Sequence, residues 1–110
     1  VYKRQERDRF DDVIAGVVSQ PVGVISVMHS EIEDTMAGIE AVRRQWAGPI
    51  GVYPESGYFT MPNWQFEAII PPDALVEESR RWLEQGVTMV GGCCGLSVPH
   101  ISALRAAYPR

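Results

Sequence analysis

With 110 residues, 45% of them hydrophobic and 22% charged, the chain fits one small globular domain rather than a disordered segment. Its formal net charge of -4, with no cluster of Lys and Arg, argues against nucleic acid or an anionic membrane surface as a partner. No apolar run approaches the roughly 20 residues that span a bilayer, and no secretory leader is recognisable, so we expect a cytoplasmic protein with reduced thiols.

The first five residues resemble the in-frame translation of a widely used sequencing adapter. Such a leader would not belong to the fold, so we expect residues 1–5 to be an artefact and the domain to occupy residues 6–110. The natural protein would then extend beyond the printed chain at its amino terminus.

The next part of the chain predicts a helix, a strand and a second helix. Apolar residues at helical spacing predict a first helix that ends near Val18. The nearly continuous apolar run Val22–Met28 is typical of a strand buried on both faces, and it places His29 at the strand's carboxyl end. Ser30 and Glu33 form a capping-box pattern, which predicts that the second helix begins there.

A second strand, Ile50–Tyr53, is expected to stop at Pro54. The stretch from Pro54 to Pro72 is rich in aromatic residues and too long for a bare connector in a small domain. It therefore predicts a lid or the wall of a pocket.

The last part of the chain repeats the alternation of helix and strand. Asp73 is expected to cap a third helix, and Gly86 to end it. Strand Val87–Val90 follows, and Ser97 then caps a fourth helix. The residues of this helix that we expect to face inward are Ile101 and Leu104.

This order of elements predicts an α/β fold with a parallel sheet and right-handed crossovers. Three parallel strands with these helices would leave apolar strand edges uncovered. Because a (β/α)8 TIM barrel takes roughly 250 residues, we interpret the chain as the C-terminal three βα units of such a barrel.

Two adjacent thiols, Cys93 and Cys94, follow the third strand between glycines, in the sequence Gly91–Gly95. Glycines let the backbone turn sharply, so both thiols can reach one metal ion. The carboxyl ends of parallel strands are also where α/β enzymes place their chemistry. The pattern favours a metal site over two inert core cysteines.

The segment from Gly91 to Ile101, GGCCGLSVPHI, resembles GGCCGTTPEHI, the terminal signature of the homocysteine S-methyltransferase family. Tyr53–Gly57, YPESG, is similar to that family's YPNSG segment. The resemblance implies a zinc-dependent barrel enzyme of methionine biosynthesis. Its substrates would be homocysteine and a methyl donor, and the methyl group would be transferred to the homocysteine thiol to give methionine.

The resemblance also implies the metal ligands. The family holds zinc with three cysteines, of which two match Cys93 and Cys94, while the position of the third is occupied here by His29. We expect His29 to replace the third thiolate, since two Cys and one His with an open position is a competent catalytic zinc site. Such a centre would be formally neutral, so the homocysteine sulfur bound to it would lose its proton more easily but be a weaker nucleophile. A weaker nucleophile favours an activated sulfonium donor such as S-methylmethionine or S-adenosylmethionine, although a betaine or a folate remains open.

Three further residues are candidates for substrate binding. Glu55 stands where the family has Asn and could accept hydrogen bonds from the substrate ammonium group. Tyr58 and Trp64 could face a cationic donor through cation–π attraction, or they could be packing residues. His100 matches the signature but is interpreted as a packing or capping residue.

Two other functions compete with this interpretation. The glycine-rich turn before a helix could cradle a phosphate ligand, although two thiolates would repel an anion. The chain could also be a non-catalytic metal-binding or interaction module. As part of a barrel, by contrast, we expect it to be inactive alone.

Overall fold

The computed structural model describes residues 2–60 and 65–109. The described elements alternate between helix and strand, with one short hairpin between the second strand and the third helix. In chain order they are α1 (Tyr2–Val18), β1 (Ile25–Glu31), α2 (Ile32–Arg43), β2 (Ile50–Glu55), β3 (Tyr58–Thr60), β4 (Gln65–Glu67), α3 (Pro72–Glu84), β5 (Met89–Val90) and α4 (Val98–Ala107). Within the described residues, no helix is both long and apolar enough to cross a lipid bilayer.

The main sheet has three parallel strands in the order β1-β2-β5. Val27 of β1 pairs with Val52 of β2, which in turn pairs with Val90 of β5. The carboxyl ends of all three strands therefore lie at one edge of the sheet. This arrangement confirms the predicted α/β fold with three parallel βα units of a TIM barrel.

The helices cover one face of this sheet and form the core with it. The side chains buried there most completely come from α2, β2 and α3: Ile39, Ile50, Val52, Leu75 and Trp82. A Cβ on Gly38 of α2 would lie 2.9 Å from a methyl carbon of Val27. Glycine at this position therefore lets α2 lie directly against β1, because any larger residue would push the two apart.

The opposite face of the sheet is largely exposed among the described residues. A Cβ built on Gly51 would point among the side chains of Ser26, Tyr53 and Met89, which shows that these residues share that face. Met28 and Met89 are 52% and 39% exposed. The sequence predicted uncovered apolar strand edges, whereas these exposed methionines lie on a face of the sheet.

Two predicted helix starts are wrong. Ser30 still belongs to β1, and α2 begins at Ile32 without a side-chain cap. The Ser30 hydroxyl instead lies 3.1 Å from the hydroxyl of Thr35, so it is not available to cap the helix. Asp73 does not cap α3, because the helix begins one residue earlier at Pro72, where the fixed φ of proline suits the first helical position.

Other boundaries shift by a few residues. Strand β1 begins at Ile25 rather than Val22, and β2 continues through Pro54 to Glu55. Gly86 does end α3, with φ of +89°, and Ser97 does cap α4. Ile101, which we expected to face inward, is 45% exposed and lines a surface groove together with Val90 and Leu104.

The long stretch between β2 and α3 contains a small antiparallel hairpin. Tyr58 of β3 pairs with Glu67 of β4, and Thr60 pairs with Gln65. The prediction that this stretch is more than a connector is therefore confirmed for the described residues. Its role as a lid or pocket wall stays a prediction.

Candidate metal site

Three side chains with metal-binding atoms meet at the carboxyl edge of the sheet. His29 comes from β1, while Cys93 and Cys94 come from the loop that follows β5. Their ligand atoms all lie within 4.8 Å of one another. The Nδ1 atom of His29 is 3.2 Å from Sγ of Cys93, which is 3.9 Å from Sγ of Cys94. The structure thus brings together the three residues proposed as ligands from the sequence.

A β-bulge places His29 at this edge. Met28 pairs with Tyr53 and Glu31 pairs with Glu55, so two residues of β1 lie opposite Pro54 alone. Proline has no N–H to offer to the ladder, which makes it compatible with an interruption of regular pairing. His29, inside the bulge, has φ of +60°. Bulges of this kind re-aim a side chain, and here the imidazole is directed towards the cysteines.

Glycines shape the loop that carries the two thiols. A Cβ on Gly91 would lie 2.5 Å from the ring of Tyr53, and one on Gly92 would lie 2.7 Å from Cβ of Leu96. Both distances are shorter than carbon atoms tolerate, so only glycine allows the loop to follow this path. The structure therefore explains why the two cysteines are preceded by two glycines.

Backbone hydrogen bonds fix this loop to the end of β2. The N–H of Cys93 donates to the carbonyl of Pro54 over 2.9 Å, and the N–H of Ser56 donates to the carbonyl of Cys94 over 3.0 Å. Ser56 is 8% exposed. The sequence reasoning did not single out Ser56, and only its place in the YPESG segment, next to the other site residues, could have indicated it.

Two of the three distances between the ligand atoms are close to those expected around a tetrahedral ion, and the third pair, His29 and Cys94, lies within 4.8 Å. With typical bond lengths of about 2.3 Å to sulfur and 2.0 Å to nitrogen, the sulfur–sulfur distance would be about 3.8 Å and the sulfur–nitrogen distance about 3.5 Å. The observed distances of 3.9 and 3.2 Å differ from these by a few tenths of an ångström. His29 and Cys94 are exposed, so the fourth coordination position can be reached by a small molecule.

The electrostatics of the free thiols favour a cation. The pKa of Cys94 is raised above its ordinary value, first by the hydrogen bond with Cys93 and then by the negative charge that Cys93 can carry. The negative charge of Glu55 raises this pKa further. Two thiolates this close repel each other, and a bound metal ion would remove that repulsion.

The candidates for substrate binding are less clearly placed. Glu55 ends β2, is half-buried and lies close enough to the thiols to affect the pKa of Cys94. Tyr58, the first residue of the hairpin, is 59% exposed. Trp64 lies outside the described residues. Neither Glu55 nor Tyr58 belongs to the cluster of metal-binding atoms.

His100 does not belong to the metal cluster. It is 6% exposed, and both of its ring nitrogens are engaged with the backbone. Nδ1 accepts a hydrogen bond from the N–H of Ser97, and Nε2 lies 2.7 Å from the carbonyl of Ile70. The interpretation of His100 as a capping residue rather than a metal ligand agrees with these contacts.

The comparisons with known proteins point to one protein family. The model of the homocysteine S-methyltransferase family matches residues 6–108. Among solved structures, the crystal structure of the metallated form of the homocysteine methyltransferase MmuM from Escherichia coli is similar, with a TM-score of 0.64 and 26% sequence identity. That match covers 87% of this chain but 28% of the MmuM chain. A search of curated proteins gave no match.

The family match extends over nearly the whole chain and includes both cysteines and His29. The similar solved structure agrees with the three parallel βα units described above. This chain therefore belongs to the homocysteine S-methyltransferase family.

Proposed function

We propose that this chain contributes the zinc site of an enzyme that transfers a methyl group from a donor to the thiol of homocysteine, giving methionine. The observation that carries the proposal is the convergence of His29, Cys93 and Cys94 at the carboxyl edge of the sheet. The similar MmuM structure is a homocysteine methyltransferase in a metallated form, which agrees with a metal-dependent reaction.

In this proposal His29 supplies the third ligand, in place of the thiolate that the family resemblance implies. Two thiolates and one neutral imidazole give zinc a soft, formally neutral environment with one open position. A bound zinc ion would lower the pKa of a thiol at that position, so that homocysteine is available as a thiolate at neutral pH.

The remaining residues would bind and orient the substrates. The carboxylate of Glu55, beside the cysteine loop, would accept hydrogen bonds from the ammonium group of homocysteine. The exposed ring of Tyr58, with Trp64, would lie against the positive charge of the donor. Donor preference would then go to a sulfonium such as S-methylmethionine or S-adenosylmethionine.

The reaction balances as a direct displacement. The homocysteine thiol gives its proton to solvent, and its sulfur forms a bond to the methyl carbon of the donor. The bond between that carbon and the donor sulfur breaks, and its electron pair stays with the donor, which becomes neutral. Exclusion of water from the reacting atoms would fall to the hairpin and to neighbouring parts of the complete barrel.

The chain spans 28% of the length of the MmuM chain that it matches, and one face of its sheet carries exposed apolar side chains within residues 2–60 and 65–109. We therefore propose that residues 6–110 form part of a larger barrel and do not turn over substrate alone. The family match begins at residue 6, which supports leaving residues 1–5 out of the domain. Two free cysteines, of which Cys94 is exposed, suit the cytoplasm, which we propose as the location.

Zinc content and homocysteine coordination test this proposal together. The purified chain should bind one zinc ion, and Cys93→Ser and Cys94→Ser should each lose it. When cobalt(II) replaces zinc, homocysteine should strengthen the sulfur-to-metal charge-transfer absorption, because a further thiolate joins the metal. Zinc binding without any response to homocysteine would favour a non-catalytic metal-binding module instead. Tight binding of inorganic phosphate in the absence of zinc would favour a phosphate cradle.

A further inference from the structure

Ile70 joins the two ends of the hairpin segment; we call this junction, formed by Ser56 and Ile70, the root of the hairpin. The chain leaves β2 at Ser56, forms the hairpin and returns at Ile70. There the N–H of Ile70 donates to the hydroxyl of Ser56 over 2.8 Å, and the carbonyl of Ile70 lies 2.7 Å from Nε2 of His100. Both backbone groups of Ile70 are therefore held by side chains from other parts of the chain.

These contacts fix the tautomer of His100. The N–H of Ser97 is a donor and lies 3.2 Å from Nδ1, so Nδ1 must be the acceptor. The hydrogen of the neutral ring is then on Nε2, which donates to the carbonyl of Ile70. Because His100 is 6% exposed, either bond would be costly to lose without replacement.

The root of the hairpin is also joined to the cysteine loop. The N–H of Ser56 donates to the carbonyl of Cys94, while Ser97 follows Cys94 by three residues. A closed ring of hydrogen bonds therefore runs from Cys94 through Ser56, Ile70 and His100 to Ser97, and back along the chain to Cys94. We call it the Cys94–Ser97 ring. It joins three segments that are distant in sequence.

We propose that His100 is a positioning residue for the metal site. Through Ile70 it holds the hairpin root and the cysteine loop in one arrangement, without touching the metal itself. Groups that orient metal ligands from outside typically change metal affinity about 10- to 100-fold when they are removed. The inference rests on the proposed function only in naming zinc as the metal, because the ring itself is a property of the fold.

Two nearly isosteric substitutions separate this role from helix capping. His100→Gln keeps an acceptor for the N–H of Ser97 and a donor for the carbonyl of Ile70, as neutral His100 does. His100→Glu keeps the acceptor, and with it the cap of α4, but places a carboxylate against that carbonyl. The added negative charge would attract zinc, so a fall in zinc affinity could not be its effect.

Two measurements on the 110-residue chain test the proposal. In His100→Glu, amide hydrogen exchange at Ile70 should be about three- to tenfold faster than in the wild type, the change expected for one lost hydrogen bond. Zinc affinity, measured by competition with a chelator, should fall tenfold or more. His100→Gln should stay close to the wild type in both.

Ser56 provides an independent check. Ser56→Ala removes the acceptor of the Ile70 N–H, whereas Ser56→Thr keeps it. Ser56 and His100 both bind Ile70. The double variant Ser56→Ala with His100→Glu should therefore have nearly the same Ile70 exchange rate and zinc affinity as either single variant. Additive effects on exchange and zinc affinity would contradict the ring.

The inference is overturned if His100→Glu leaves the Ile70 exchange rate and the zinc affinity at wild-type values, or if His100→Gln and His100→Glu change them equally, which would indicate packing or capping alone. If the wild type binds no zinc, the proposed function fails, while the exchange of Ile70 still decides whether the ring exists. If zinc binds normally but Ile70 exchange is insensitive to position 100, the ring is wrong and the zinc site stands.

Discussion

His29 combines two properties that a pair of substitutions can separate. It offers a metal ligand through Nδ1, and its backbone has φ of +60°, which L-residues adopt at a cost. His29→Ala removes the ligand and keeps the backbone cost, whereas His29→Gly removes both. We therefore expect the two variants to bind zinc equally weakly but to differ in stability without metal.

The magnitude of each effect follows from the site. Structural zinc sites bind with roughly 10–16 kcal/mol at neutral pH, so one of three or four ligands accounts for about 3–4 kcal/mol. Loss of His29 should then weaken zinc binding by about 100- to 1,000-fold. The left-handed conformation costs about 1–2 kcal/mol, and glycine is penalised by about 0.5–1 kcal/mol for its flexibility. The glycine variant should therefore be about 0.5–1 kcal/mol more stable than the alanine variant.

Zinc affinity is measured by competition with a chromophoric chelator. Stability is measured by urea denaturation with excess chelator, so that the metal does not contribute. Cys94→Ser serves as the control, because it should lose zinc without changing the backbone at position 29. The reasoning is refuted if His29→Ala binds zinc within threefold of the wild type. The conformation of the bulge is refuted if His29→Gly is no more stable than His29→Ala.

Three further predictions concern the same edge of the sheet. Gly91→Ala should destabilise the chain by about 1–3 kcal/mol in urea, because its methyl group would meet the neighbouring tyrosine ring, while Gly23→Ala, in open space, should not. Cys93→Ser removes the two largest causes that raise the pKa of Cys94, so the thiolate of Cys94 should form at lower pH. Iodoacetamide should then alkylate Cys94 faster at a given pH, and an unchanged dependence of that rate on pH would contradict the coupling between the two thiols. Glu55→Gln should weaken homocysteine binding to the zinc-loaded chain by about tenfold or more, and unchanged affinity would remove Glu55 from the site.

Much of the fold could be predicted because the sequence pattern and the tertiary environment agree. The apolar run before His29 and the run before Gly91 form strands, as their composition suggests, but the prediction that the first is buried on both faces is wrong, because only Val27 of β1 is buried. Gly86 and Ser97 act at the helix ends as their chemistry suggests, the first by its positive φ and the second at the start of α4.

The errors arise where a local pattern competes with tertiary structure. Ser30 and Glu33 have the spacing of a capping box, but the bulge keeps Ser30 in the strand and its hydroxyl bonds to Thr35. Ile101 has helical spacing, yet it is 45% exposed at a groove that it lines with Val90 and Leu104. Local propensity cannot reveal either effect, because strand pairing and side-chain burial depend on segments that are distant in sequence.

At the candidate metal site, too, some features could be predicted from local sequence and others could not. The adjacent cysteines between glycines identify the metal loop from a few residues of sequence. The network through Ser56, Ile70 and His100 could not be anticipated, because it joins backbone groups whose partners are set only when the hairpin folds back.

The bulge opposite Pro54 has a consequence for how such a site can change during evolution. It is the backbone of β1, rather than any particular side chain, that places position 29 beside the two cysteines. A thiol or an imidazole placed there would arrive at the same point, so one ligand can be exchanged for another without rebuilding the sheet. A change at this one residue would in this way alter the formal charge around a bound metal ion and leave the strand pairing as it is.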